Sequence, residues 1–357
     1  MTMTAGITMD ELDQRLLNEM QDKFPLVREP FAALAERVSA DEARVIARLT
    51  AMRESGVLRQ VSPIFDTKAL GYATSLVAMR VPEESLAAAA EVVNAHPGVS
   101  HNYRRTHEFN MWFTIAVPPG ADLQAHVDAL HRDAGAASTR MLPTLRLFKI
   151  GVTLDMTGER EMDHKSRPQY THEQREVAAS NTLTPRDIDI VRAVQGDLAL
   201  EADPFADPAR ELGISVAELI EALEDLQRRG YLRRFAAILR HRKAGFGANG
   251  MAVWKVAEGD VAGIGQTMAG YTSISHCYQR PVYADWKYNL FTMIHARKKS
   301  ECESFVAQLA QEHALDEFDV LYSTTEYKKI RLAYFTPAFE AWERLHLHVK
   351  EQVADGV

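Results

Sequence analysis

The sequence predicts an α+β protein built from two tandem, diverged copies of one unit. Each unit is expected to be a winged helix-turn-helix followed by a ferredoxin-like βαββαβ sheet. Two observations carry this prediction. The halves of the chain match each other in order, and within each half the spacing of apolar residues changes from a helical to an alternating period.

The internal repeat extends through most of both halves of the 357-residue chain. The matching segments are Gly56–Arg59 with Gly230–Arg233, His101–Arg105 with His276–Arg280, and Lys149–Ile150 with Lys329–Ile330. Because the matches keep their order, a duplication explains them better than chance does.

The first half of each copy has the pattern of a winged helix-turn-helix. Apolar residues at helical spacing predict a first helix: Leu12, Leu16, Leu17 and Met20. Residues 31–38 predict a second, short helix. Ser39 and Glu42 have the spacing of a capping box that opens a third helix, which Gly56 ends. Residues 57–65 alternate between apolar and polar side chains, which predicts a short hairpin. Residues 188–239 repeat this order of helices and hairpin in the second copy.

The second half of each copy has the order βαββαβ. In the first copy, strands are expected at residues 72–81, 99–107, 111–117 and 144–154, with helices at 83–95 and 122–132. Residues 251–332 repeat this order. The predicted segments are a first winged helix-turn-helix (1–67), a first ferredoxin-like domain (68–155), a polar linker (156–183), a second winged helix-turn-helix (184–241), a second ferredoxin-like domain (242–345) and a C-terminal tail (346–357).

Composition narrows the class of protein. The chain is 46% hydrophobic and 25% charged, as in globular proteins. It has no apolar run of the ~20 residues that a membrane helix needs, and residues 1–10 do not resemble a secretion signal. The two cysteines, Cys277 and Cys302, are too few for a disulfide framework or a cysteine zinc site. We therefore expect a cytoplasmic protein without a membrane partner.

Charge argues against a dedicated DNA-binding protein. The net charge is −8, whereas phosphate neutralisation usually requires a basic face. The recognition helix of the second copy carries four acidic residues, Glu218, Glu221, Glu224 and Asp225. The first copy is less acidic there. DNA is therefore not expected as a partner, and the winged modules are interpreted as scaffolding.

A polar stripe occurs at the same place in both copies. His101, Tyr103, Arg105 and His107 share one parity, as do His276, Tyr278 and Arg280, so unbroken strands would place each set on one face. The alternative is a solvated edge strand. Recurrence of His-x-Tyr-x-Arg in both copies favours a ligand site.

The chemistry of the stripe suits a small polyanionic ligand. Arginine binds carboxylates in a bidentate manner, and histidine can deliver a proton or ligate a metal near neutral pH. Arg104 and Lys149 add cations in the first copy. Nearby aromatic residues such as Trp112 and Trp286 could cover a flat ligand, with ordinary core packing as the alternative.

These segments resemble a known family. A winged helix-turn-helix followed by βαββαβ is similar to the Lrp/AsnC architecture. Within it, residues 101–113 (HNYRRTHEFNMWF) resemble the D-type half of siroheme decarboxylases. Residues 276–281 (HCYQRP) and 286–295 (WKYNLFTMIH) resemble the L-type half. The whole is similar to the fused siroheme decarboxylases of heme d1 biosynthesis.

The resemblance implies a carboxy-lyase that removes CO2 from the C12 and C18 acetates of siroheme, giving 12,18-didecarboxysiroheme. It implies no added cofactor or metal, since the iron arrives inside the substrate. His101 and His107 are the implied catalytic residues, and either could instead ligate that iron. The implied substrate-binding residues are Tyr103, Arg104, Arg105, Lys149, His276, Tyr278 and Arg280.

The copies differ at one implied catalytic position, because Trp286 stands where His107 stands in the first copy. We therefore expect the first copy to hold the working site and the second to support it, within an intramolecular pseudo-dimer.

Two other functions remain as alternatives: an Lrp/AsnC-type transcriptional regulator that senses a small ligand, and a non-catalytic tetrapyrrole carrier. The sequence does not give the order of the two decarboxylations, and it does not decide between heme d1 synthesis and the alternative heme route. It also leaves open whether related decarboxylase subunits act as partners and whether the chain associates with itself.

Overall fold

The computed structural model describes residues 9–22, 24–151, 164–165, 182–239 and 248–347. The helices are α1 (Glu11–Asp22), α2 (Pro30–Val38), α3 (Glu42–Glu54), α4 (Leu86–Ala95), α5 (Leu123–Asp133), α6 (Pro185–Val194), α7 (Ala206–Glu211), α8 (Val216–Arg228), α9 (Val261–Ala269), α10 (Lys299–Glu312) and α11 (Ala338–His346). The strands are β1 (Leu58–Phe65), β2 (Ala73–Arg80), β3 (Val99–Arg105), β4 (Met111–Val117), β5 (Ser138–Leu142), β6 (Arg146–Ile150), β7 (Leu232–Leu239), β8 (Ala248–Trp254), β9 (Ile274–Gln279), β10 (Leu290–Ala296) and β11 (Phe318–Lys329).

The predicted α+β repeat is confirmed, but one predicted helix start is wrong. The N-cap of α3 is Asp41, whose carboxylate accepts a hydrogen bond from the Arg44 backbone N–H at 2.8 Å. Ser39 instead ends α2 in the left-handed conformation, with φ of 57°. A complete capping box is present in the second copy, where Ser215 and Glu218 open α8. Aspartate is as good an N-cap as serine, so the sequence offered two competing starts.

The predicted hairpin at residues 57–65 is also wrong. These residues form the single strand β1, which pairs antiparallel with β7 of the second copy. An alternating strand needs a hydrogen-bonded neighbour, and the duplicated segment supplies an equivalent one. The two winged units share one hydrophobic core, in which Val61 and Phe235 are both buried.

The ferredoxin-like halves of both copies join in one nine-stranded sheet, in the order β5-β2-β4-β3-β11-β8-β10-β9-β6. The first half of β11 pairs with β8 of its own copy, and the second half pairs with β3 of the other. In the same way, β5 pairs within the first copy while β6 crosses to β9. The strand predicted at residues 144–154 is present as β6, with residues 152–154 outside the described ones, whereas the additional strand β5 was not predicted. The exchange forms the expected intramolecular pseudo-dimer.

The sheet must curl back on itself. Strands β5 and β6 lie at opposite ends of the strand order, yet only residues 143–145 separate them. Four Cα–Cα steps span at most roughly 15 Å, whereas nine flat strands would be about 38 Å wide. The two halves of the sheet therefore face each other, and apolar side chains from both, including Trp112 and Trp286, pack in one cluster between them.

The last helix returns to the first copy. In α11, Trp342 is buried against the helices and sheet of the first ferredoxin-like unit, and Phe339 packs near Tyr72. Part of the predicted segment 242–345 thus belongs structurally to the first copy. The predicted linker and C-terminal tail lie almost wholly outside the described residues. No described helix has both the length and the apolar character to cross a membrane.

Candidate active site between the two copies

A cavity of about 1160 Å³ lies between the facing halves of the curled sheet, and both copies line it. Ligand pockets for drug-sized molecules are typically about 300–1,000 Å³, so this cavity has room for a larger ligand. Part of its wall is apolar, formed by residues that include Leu76, Trp112 and Met293. The wing strands close part of the cavity, because Arg59 of β1 and Leu239 of β7 also line it.

The predicted polar stripes face this cavity from both copies. His101, Tyr103 and Arg105 line it from β3. His276, Tyr278 and Arg280 line it from the second copy, on β9 and just after it. Strand β3 lies between β4 and β11, and β9 lies between β10 and β6, so neither is a solvated edge strand. The pleat of a strand explains why alternate residues of each stripe share one face.

Each copy places a serine hydroxyl against its stripe histidine. Ser100 Oγ lies 3.0 Å from His101 Nδ1 and 2.9 Å from Thr114 Oγ1. Ser275 Oγ lies 2.8 Å from His276 Nδ1 and 2.7 Å from His295 Nε2. In both copies Nδ1 of the stripe histidine is thus engaged by serine, which orients the ring in the cavity wall.

The two stripe arginines are buried and have no carboxylate partner among the described residues. Their exposed fractions are 7% for Arg105 and 8% for Arg280. Arg105 Nη1 donates to the Leu321 carbonyl at 2.8 Å, and Arg280 Nη1 donates to the Leu142 carbonyl. Each guanidinium lies over the tyrosine of its own stripe.

Burial leaves both guanidiniums short of partners. Their Nε–H groups are buried and donate no hydrogen bond within the described ranges. Burial lowers the pKa of Arg105 to about 10 and that of Arg280 to about 10, with their tyrosines opposing the change. Buried cations are normally paired, so two unpaired guanidiniums in one cavity indicate a site for anionic ligand groups.

The cavity wall is cationic as a whole. Within the described residues, five cationic side chains line it: Arg59, Arg105, Arg280, Lys299 and Lys329. One carboxylate, Glu326, also lines it and lies 3.9 Å from the Lys329 ammonium group. A ligand with several carboxylates would match this charge pattern.

Arg59 and Lys299 were not predicted as site residues. Arg59 belongs to the repeated segment Gly56–Arg59, and the repeat was the signal that could have identified it. Its Nη2 donates to the Lys329 carbonyl at 2.6 Å, just as Arg233 Nη2 donates to the Ile150 carbonyl at 2.8 Å. Only the first of these two equivalent arginines lines the cavity.

His107 is not among the residues that line this cavity, so the structure does not bring it together with His101, Tyr103 and Arg105. Strand β3 ends at Arg105, and the alternation of faces ends with it. His107 Nδ1 accepts a hydrogen bond from the Phe109 backbone N–H at 3.0 Å, and its ring meets Trp286 edge-on at 5.2 Å. Burial lowers the pKa of His107, while the nearby Asp319 and Glu108 carboxylates oppose the change.

Two further predicted binding residues lie away from the cavity. Arg104 is on the opposite face of β3 and forms an ion pair with Glu83 at the surface. Lys149 is buried in β6, where its Nζ donates to the Tyr271 carbonyl at 2.6 Å. Burial lowers the pKa of Lys149 to about 8. Neither residue lines the described cavity.

Comparison with known proteins identifies the family. A family model described as the AsnC-like ligand binding domain matches residues 69–149 and 243–328. A model described as the siroheme decarboxylase NirDL-like HTH domain matches residues 13–59 and 187–233. Siroheme decarboxylase from Hydrogenobacter thermophilus is 39% identical over 92% of this chain and 96% of its own length. The chain belongs to the siroheme decarboxylase family. The expected class of enzyme, a carboxy-lyase, is thereby confirmed.

Solved structures of this family agree with the fold. The crystal structure of the siroheme decarboxylase NirDL matches with a TM-score of 0.72 at 35% identity, covering 95% of this chain and 98% of that one. A second structure is a co-complex of NirDL with an iron-uroporphyrin III analogue, at 34% identity. Siroheme decarboxylases also occur as separate subunits. Those named alpha and beta in Desulfovibrio desulfuricans match 42% and 44% of this chain at 36% and 37% identity.

Proposed function

We propose that this chain removes CO2 from the C12 and C18 acetates of siroheme, giving 12,18-didecarboxysiroheme, and that both reactions occur in the cavity between its two copies. The observation that carries the proposal is the pair of His-x-Tyr-x-Arg stripes facing one cationic cavity. The fused form supports a place in heme d1 biosynthesis, since the relatives of the same form are the NirDL proteins.

Decarboxylation needs an ionised carboxylate and a proton donor at the neighbouring carbon. The bond between the acetate methylene carbon and the carboxylate breaks, and CO2 leaves. The electron pair stays on the methylene carbon, where the macrocycle delocalises it, and a proton then converts that carbon to a methyl group. His101 is the proposed donor in the first copy, because it lines the cavity and histidine is the side chain most often used as a general acid.

The buried arginines orient the substrate. Arg105 and Arg280 would bind carboxylates that are retained in the product, which fixes the reacting acetates against the histidines. The depressed pKa of both arginines supports this assignment, because a bound carboxylate would restore the favourable surroundings that burial removes. Tyr103 and Tyr278, beneath the guanidiniums, would hold them in place.

The iron is part of the substrate in this proposal. The iron-uroporphyrin III analogue bound to a relative supports an iron tetrapyrrole as the ligand class. No separate cofactor is proposed, and His101 is the residue that we propose as an alternative ligand of the substrate iron. His107, Arg104 and Lys149 are not assigned to the reaction, since they lie away from the cavity. The cytoplasmic location stays a prediction.

The experiment is anaerobic incubation of the purified chain with siroheme, followed by mass spectrometry of the extracted tetrapyrrole. We expect loss of the mass of one CO2 and then of a second. Tight binding without any mass change would contradict the proposal and favour a tetrapyrrole carrier. Absence of both, with a salt-sensitive gel shift of promoter DNA, would favour the regulator.

A further inference from the structure

The connection between β9 and β10 contains a tight hairpin, residues 281–286, which we call the strap. The backbone N–H groups of Tyr283 and Trp286 donate to each other's carbonyls at 2.8 and 3.0 Å, which closes the hairpin. Trp286 is buried, and its ring lies 5.1 Å from that of Trp112 in the first copy. The residue just before the strap is Arg280, which lines the cavity. The strap therefore joins a cavity residue of the second copy to the wall of the first.

Two strap side chains bind consecutive residues of β5, the edge strand of the first copy. The Asp285 carboxylate accepts two hydrogen bonds from the Arg140 guanidinium, at 2.9 Å from Nε and at 2.8 Å from Nη2. The Tyr283 hydroxyl donates to the Met141 carbonyl. The hydrogen bonds of the ion pair raise the pKa of Arg140 and lower that of Asp285, so the pair stays ionised around neutral pH.

Arg280 depends on the next residue of the same strand. Its Nη1 donates to the carbonyl of Leu142, which directly follows Met141. Its buried Nε–H donates no hydrogen bond within the described parts of the chain. Because Arg280 directly precedes the strap, the bonds that fix the strap on β5 also fix the Arg280 guanidinium against the Leu142 carbonyl.

The first copy holds its own stripe arginine with the main chain instead. Thr106 follows Arg105 as Pro281 follows Arg280. The Thr106 N–H donates to the Tyr322 carbonyl at 3.2 Å, and the Thr106 hydroxyl accepts from the Tyr322 N–H at 3.3 Å. Proline has no N–H to donate, so the second copy cannot repeat this main-chain bond. The side chains of the strap replace it.

We propose that Tyr283 and Asp285 are positioning residues for substrate binding, which hold the strap on β5 and so keep Arg280 in place to bind a substrate carboxylate. The inference rests on the proposed function, since siroheme supplies that carboxylate. Neither side chain lines the described cavity, so both act through Arg280. An exposed ion pair alone contributes little, but a bidentate pair together with a second bond to the adjoining residue restricts one short segment.

The first measurement is the affinity for siroheme, by anaerobic titration of its visible absorbance. The double variant Tyr283→Phe with Asp285→Asn keeps the size of both side chains. It loses one neutral and one charge-assisted hydrogen bond at a partly exposed site, so the Kd should rise about tenfold. Glu83→Gln is the matched control, because it breaks a surface ion pair with Arg104 away from the cavity and should leave the Kd unchanged. A wild-type Kd in the strap variant would overturn the proposal.

The second measurement separates positioning of Arg280 from a general structural role. The strap substitutions are repeated in Arg280→Met and in Arg105→Met, and the Kd for siroheme is compared with that of each parent. Substitutions that act through one residue lose their effect when that residue is absent. The strap substitutions should therefore change the Kd by less than about twofold in Arg280→Met and still by about tenfold in Arg105→Met. Equal factors in the two backgrounds would overturn the positioning role.

Two controls keep the outcomes distinct. If the double strap variant does not fold, Tyr283→Phe and Asp285→Asn are measured singly in the same backgrounds, and each should show a smaller part of the effect. A wild-type chain that neither binds siroheme nor releases CO2 from it would overturn the proposed function and this inference with it. A wild-type chain that does both, with strap substitutions that act equally in every background, would overturn the inference about the strap alone.

Discussion

Replacing Arg105 by methionine should raise the free energy of unfolding of the ligand-free protein or leave it unchanged. The same replacement should weaken the binding of siroheme. Methionine has a similar length and fills the buried space without a charge. Arg105 is 7% exposed, and its buried Nε–H has no hydrogen-bond partner among the described residues. Its burial therefore opposes folding until a ligand supplies a negative charge.

The size of the effect follows from the pKa of Arg105, which burial lowers from 12.5 to about 10. At 1.36 kcal/mol per pKa unit, that shift corresponds to roughly 3 kcal/mol of destabilisation of the charged form. The variant also loses the hydrogen bond to the Leu321 carbonyl, worth about 1.5–3 kcal/mol for a charged donor. The free energy of unfolding should therefore rise by about 0–2 kcal/mol.

Siroheme binding should change in the opposite direction. Truncating one partner of a buried, hydrogen-bonded charge pair costs about 2–5 kcal/mol, or roughly 30- to 4,000-fold in Kd. Urea unfolding measures the first quantity, and anaerobic titration of siroheme by its visible absorbance measures the second. Arg104→Met is the matched control, because Arg104 lies on the other face of β3 in a surface ion pair with Glu83. It should change either quantity by less than about 1 kcal/mol.

The reasoning would be refuted by a variant with the wild-type affinity for siroheme. It would also be refuted if Arg105→Met lost several kcal/mol of stability, because the guanidinium would then be a structural group satisfied within the protein. A stability gain with weaker binding is the signature of a residue kept for its ligand.

Three other perturbations test separate parts of the account. His107→Ala should lower the free energy of unfolding by about 1–3 kcal/mol, because the variant loses the contacts of His107 with aromatic rings, and it should keep siroheme turnover. His101→Ala should instead lower siroheme turnover by about 100-fold or more. Burial lowers the pKa of His96 to about 2, so its contribution to stability is complete above pH 6.5 and falls as pH decreases, by up to about 1.4 kcal/mol per pH unit. Urea unfolding at pH 7, 6 and 5 should show this slope in wild type and a shallower one in His96→Gln; identical slopes would contradict it. Arg59→Met should raise the Kd for siroheme about tenfold or more, and Arg233→Met, whose side chain does not line the cavity, should leave it unchanged in the same titration.

The parts of the site predicted from sequence were those that depend on local periodicity. Alternate residues of a strand share a face whatever the topology, so His101, Tyr103 and Arg105 could be placed together before the fold was known. His107 could not be placed, because the end of β3 depends on a turn in which the Arg105 backbone N–H donates to the Asn110 carbonyl. A residue beyond that turn no longer follows the alternation.

Non-local pairing accounts for most of what the sequence did not predict. Strands β1 and β7 pair across more than 160 positions of the chain, as Val61 with Ala237 shows. The strands exchanged between the copies also pair over long stretches of the chain, as Ile150 with His276 and Lys329 with His101 show. Arg59 reaches the cavity only because the wing strands pair and close part of it. Each of these pairings depends on which of several similar strands finds a partner, and the alternating pattern of a strand does not encode that choice.

The central claim is that both copies serve one cavity, and a paired-arginine variant tests it most directly. Wild-type chain and the double variant Arg105→Met with Arg280→Met are incubated anaerobically with siroheme, and the products are analysed by mass. We expect the wild type to release both CO2 molecules and the folded double variant to leave siroheme unchanged. Loss of both CO2 molecules at the wild-type rate by the double variant would contradict the claim.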